Sequence, residues 1–88
     1  MRIVLSPRAE KQLRRLSKTD QIAVARKIRL LKEGGKITRE EKLGGFRNIY
    51  RVRIGNYRIV YKKTMRELYI ILISHRRDVY QLLKQLFS

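Results

Sequence analysis

The sequence has no cysteine and no tryptophan, one proline and one histidine. Without cysteine there are no disulfides and no thiolate metal sites, and a lone histidine cannot build a histidine-rich cluster. Acidic residues are scarce: seven Asp and Glu stand against 23 Lys and Arg, a formal net charge of +16 over 88 residues. So few carboxylates offer no cluster to a hard cation, and neither metal nor cofactor is expected. No apolar run approaches the ~20 residues of a membrane span. The N-terminus shows no apolar core of a secretion signal, so the cytoplasm is the expected compartment and no membrane partner is expected.

What is present suits one modest globular domain, taken as residues 1–88, with 43% hydrophobic residues. A charge this positive opposes compactness by self-repulsion and draws the chain toward nucleic acid or an acidic protein. Arg2 to Leu5 is a short β-rich run. Ser6-Pro7 then supplies an N-cap and a first-turn proline. A first helix to about Leu16 follows, with Ala9, Leu13 and Leu16 on one face. Ser17 and Asp20 have capping-box spacing. A second helix runs to about Glu33, with Ile22, Val24, Ala25, Ile28 and Leu31 at helical spacing, and Gly34-Gly35 stops it. Lys36 to Asn48 reads as a connecting loop with a helical turn at Thr38–Lys42. Leu68 to Ile73 is almost wholly apolar, as in a strand buried on both faces. Val79 to Phe87 has the spacing of a short amphipathic helix. The order β-α-α-β-β-β-α implies an α+β fold: a mostly antiparallel sheet, an N-terminal helical hairpin on one face and a short C-terminal helix.

The most informative stretch is Tyr50 to Tyr61. Gly55-Asn56 is a two-residue hairpin signal, since glycine supplies the positive φ of a type II′ turn. That loop sets the pairs Ile54–Tyr57, Arg53–Arg58, Val52–Ile59, Arg51–Val60 and Tyr50–Tyr61. Alternation then puts Tyr50, Val52, Ile54, Tyr57, Ile59 and Tyr61 on a core face. Arg51, Arg53, Arg58 and Lys62 fall on the other face, expected to be open, basic and concave. Like charges directly opposite destabilise a sheet. Two readings follow from the residues alone: a polyanion meets this face, or it is the solvated side of a basic protein.

Lys42-Leu43-Gly44, the Tyr50–Tyr61 hairpin and His75-Arg76-Arg77-Asp78-Val79-Tyr80, in this order of elements and over this length, resemble the RelE family of the RelE/ParE toxin superfamily. The resemblance spans essentially the whole chain. It implies a RelE-like microbial ribonuclease fold and a toxin of a type II toxin–antitoxin system. It further implies an mRNA endonuclease that acts in the vacant 30S decoding site of the ribosome, held in a hetero-oligomer by an acidic antitoxin. Carried over by position, the two basic strand residues are Arg51 and Arg53, and the next strand's arginine is Arg58. The arginine before the last helix is Arg76 (or Arg77, as loop length varies), and the C-terminal tyrosine is Tyr80. Arg47, Lys62 and Arg77 are expected to add RNA contacts.

Such a cut needs no metal. The 2′-OH attacks the adjacent phosphate, clustered guanidinium groups stabilise the extra negative charge, and Tyr80 could stack on a base. Family members that carry lysine at the first strand positions have a group able to lose a proton. Arg51 and Arg53 cannot. His75, with a reference pKa near neutrality, is then a candidate base or acid, beside Tyr80 and Lys62. Two other classes stay open: a ParE-like inhibitor of DNA gyrase on the same fold, and a basic nucleic-acid-binding domain without chemistry.

Overall fold

Why the chain folds as it does is clearest from its middle outward. The computed structural model describes residues 2–33 and 40–75, together with Gln81 and Lys84. Its elements are β1 (Arg2–Leu5), α1 (Pro7–Arg15), α2 (Lys18–Glu33), β2 (Glu41–Lys42), β3 (Ile49–Ile54), β4 (Tyr57–Lys63) and β5 (Glu67–His75). The strands form one sheet in the order β1-β5-β4-β3-β2. Only β1 and β5 are parallel. The expected C-terminal helix falls mostly outside the described residues, of which Gln81 and Lys84 are both helical. Gly34, Gly35 and the Thr38 end of the expected helical turn lie outside them too.

The hairpin has the predicted register, pair for pair, from Tyr50↔Tyr61 to Ile54↔Tyr57. Gly55 has φ +56° and Asn56 is not in the left-handed region, which matches a type II′ turn. The core-face residues Val52, Ile59 and Tyr61 pack with Leu68, Ile70 and Ile73 of β5 against Ala9, Val24, Ile28 and Leu31 of the helices. All ten are nearly or fully excluded from solvent. Helix α2 differs from expectation in detail. Val24, Ile28 and Leu31 form its buried stripe, whereas Ile22 and Ala25 are exposed. Spacing i, i+4, i+7 fits the sheet better than the wider set read from sequence.

The helical hairpin is fastened by its caps. Ser6 Oγ accepts from Ala9 N at 2.9 Å and donates to Ile71 O at 2.6 Å. Gln12 Oε1 accepts from Ile73 N at 2.7 Å. β1 pairs with β5 only as far as Leu5↔Ile70, so these two α1-side residues satisfy the β5 edge where β1 has ended. Ser17 Oγ accepts from Asp20 N at 3.2 Å, the forward half of the expected capping box.

One irregularity interrupts the sheet. β4 and β5 pair Tyr61↔Ile70 and Val60↔Leu72, so Ile71 is a bulge residue. Beyond it, Arg58 faces Ser74 and Tyr57 faces His75.

Candidate functional site

The face of the sheet away from the helices begins at the hairpin. Arg53 and Arg58 are directly opposite each other, at a separation of ~5 Å between Cβ atoms. Arg53 is exposed and Arg58 half-buried. Arg53 Nε donates to Gly55 O at 3.1 Å, which folds its guanidinium toward the turn. Among the described residues neither arginine has an ion pair. Arg58 Nε is buried without a hydrogen-bond partner among them. That is a costly arrangement for a charged donor.

The expectation of an open basic face along the whole hairpin needs correction. Val60, Ile49 and Leu72 lie on the same side and form a second apolar cluster, with Leu43, Phe46 and Ile71 packed against it. The 43–48 turn therefore covers the far half of the face. Arg47 in that turn is exposed. Lys62 is on the arginine side and exposed, but four residues along β4 from Arg58, a distance of ~13 Å. Among the described residues the basic part left open is confined to the end near Gly55.

Arg51 sits at the boundary, and its surroundings were not legible in the sequence. Residues 41–42 form an edge strand, not part of a helical turn, and the register places Glu41 opposite Arg51. Arg51 Nε and Nη2 both donate to Glu41 Oε2, at 3.0 and 2.5 Å. The Arg51 side chain is 15% exposed and that of Glu41 56%. The arginine, by hydrogen bond and by charge, holds the Glu41 carboxyl below the usual carboxylate range. The only sequence signal for this partner was an acid about ten residues before Arg51, with glycines between to let the chain turn back.

His75 is not brought to Arg51, Arg53 or Arg58. Paired with Tyr57, it lies on the helix-packed side of the sheet, and its ring meets that of Tyr57 edge-on at 5.9 Å. Arg76, Arg77 and Tyr80 lie outside the described residues. Tyr61 is a core residue, as expected, and stacks on Tyr50 with ring centroids 5.8 Å apart. Among the described residues its buried hydroxyl has no well-formed hydrogen bond. Burial first, and then the nearby Glu40 carboxylate, push its pKa up, so it stays neutral and is no base. No group of three or more metal-ligating side chains occurs among the described residues. No described helix is long and apolar enough to cross a membrane.

The fold is similar to that of solved RelE toxins. The isolated Escherichia coli RelE toxin matches with a TM-score of 0.73 at 23% identity, over 97% of this chain and 97% of that one. The RelB–RelE antitoxin–toxin complex from Methanococcus jannaschii gives 0.72 at 20% identity, over 90% and 96%. The RelE–RelB complex from Pyrococcus horikoshii gives 0.69 at 24%, over 85% and 93%. No curated protein matches the chain. The family model described as the ParE toxin of the type II toxin–antitoxin system parDE matches residues 3–80. With that match covering most of the sequence and the RelE fold beneath it, the chain belongs to the ParE toxin family, within the RelE/ParE superfamily of type II toxin–antitoxin toxins.

Proposed function

We propose that this toxin is a metal-independent endoribonuclease that cuts mRNA codons in the vacant 30S decoding site of the ribosome, as one domain acting in the cytoplasm. The observation that carries the reading is the Arg53–Arg58 cross-strand pair. Among the described residues these two guanidinium groups have no ion pair, and they stand on the sheet face away from the helices in a chain with net charge +16. That arrangement suits a phosphate that gains negative charge as the 2′-OH attacks it. The cut breaks the bond from phosphorus to the 5′-oxygen of the next nucleotide. It leaves a 2′,3′-cyclic phosphate and a free 5′-OH.

In this reading Arg53 and Arg58 bind and stabilise the reacting phosphate, and Arg51 contributes from the boundary of the covered half. Arg76, Arg77 and Tyr80 would complete the site from the chain after β5, and Arg47 and Lys62 would hold flanking phosphates. His75, on the other side of the sheet, is assigned to packing with Tyr57. An acidic antitoxin would neutralise the basic surface in a hetero-oligomer, as solved relatives of this fold are found with RelB.

A second reading, inhibition of DNA gyrase, is favoured by the family model that matches, which is named for ParE. Primer extension on a defined mRNA separates the two. Cuts within the exposed codon only with programmed ribosomes support the nuclease. No cuts, together with loss of gyrase supercoiling on adding the toxin, would establish the second reading.

A further inference from the structure

The arginines of the open face are not equivalent. Arg53 and Arg58 have no ion pair among the described residues, whereas two donors on one edge of Arg51 are already taken by Glu41. That edge, Nε with Nη2, is one a guanidinium offers to a phosphate, and a carboxylate fills it with the same charge and similar geometry. The two partners differ in freedom. Arg51 lies in β3, hydrogen-bonded to strands on both sides, and its side chain is mostly buried. Glu41 lies in a two-residue strand at the sheet edge with more than half its side chain in solvent. When another anion competes, the carboxylate is the side that moves.

We propose that Glu41 is a displaceable gate on Arg51: in the free toxin its carboxylate fills the guanidinium edge that an RNA phosphate uses, and it leaves that edge when RNA binds. This rests on the reading of the face as an RNA surface. The gate makes the Arg51 contact an exchange of one anion for another. Such an exchange adds little net affinity and weakens the salt dependence, because the freed carboxylate regains a counterion as the RNA loses one. It also lowers the attraction of the free toxin for chance polyanions, while Arg53 and Arg58 remain ready.

The test uses the purified toxin and a single-stranded uridine 12-mer as probe, with binding measured over a range of salt. Glu41→Gln removes the competing charge and keeps the shape. It is expected to bind about fivefold tighter, the upper range for a surface ion pair, with a log–log salt slope steeper by about 0.7. Glu41→Gln combined with Arg51→Ala is expected to bind like Arg51→Ala alone. Thermal unfolding of each variant controls for folding. If Glu41→Gln binds no tighter than the parent while Arg51→Ala binds more weakly, the gate is overturned and the RNA face stands. If Arg51→Ala placed in the Glu41→Gln background binds as tightly as Glu41→Gln alone, Arg51 is not on the RNA surface, and the gate falls with that reading.

Discussion

In the proposed site Arg58 is the central side chain: a half-buried guanidinium directly opposite a second one, with no ion pair among the described residues. Arg53→Ala and Arg58→Ala are each expected to lower ribosome-dependent cleavage ~100-fold or more, the usual loss when one preorganised donor to a developing charge is removed. The Tm should change by only a few degrees, because neither side chain belongs to the core. Arg58→Lys is expected to restore little, since an ammonium lacks the planar fork. His75→Phe keeps the ring contact with Tyr57 and is expected to retain cleavage within about threefold, with an unchanged pH profile. A large loss, or a shifted profile, would return His75 to the chemistry. Glu41 gives a pH signature. Its carboxyl is held low in the folded state, so the pair's contribution is present above the unfolded carboxylate pKa of about 4.3 and is lost as pH falls through the folded value. Between about pH 5 and pH 3 the parent should therefore lose more thermal stability than Glu41→Gln.

At the scale of elements, the hairpin was fully readable from sequence because one turn fixes it. Gly55-Asn56 sets the register, and alternation does the rest, so the Arg53–Arg58 pairing follows from the turn alone. Both helices were readable from their caps. β2 was not, because two residues carry no periodicity and only pairing with β3 makes them a strand. With β2 went Glu41, so the Arg51 partner was invisible. The second apolar cluster was missed for a related reason: Val60 and Ile49 are apolar positions on a face named for its arginines, and the residues that cover them come from a turn. A sequence shows which residues share a face but not which loop folds over it. Ser6 joins helix and sheet through one hydroxyl. Ser6→Ala loses both the cap and the bond to Ile71 O and is expected to cost about 2–3 kcal/mol in denaturant unfolding.

Over the whole molecule the dominant fact is a net charge of +16 on 88 residues. Among the described residues the helices bury one side of the sheet, and a turn covers part of the other. Self-repulsion is then a standing cost that any polyanion or acidic partner relieves. Raising NaCl from about 50 mM to about 500 mM is expected to raise the Tm by several degrees by screening, while weakening RNA binding steeply. A protein without excess surface charge would show neither trend, so the two measurements together separate a general charge effect from loss of fold.

The bulge at Ile71 has a consequence for counting. Strict alternation from Ile70 would put His75 on the arginine side and Ser74 among the helices. The one surplus residue reverses the parity, and His75 meets Tyr57 instead. Positions after Ile71 therefore cannot be assigned a side by stepping along the sequence in twos. A relative one residue shorter here would keep the same pairing with a regular ladder. One a residue longer would have to enlarge the bulge or exchange the roles of every side chain that follows.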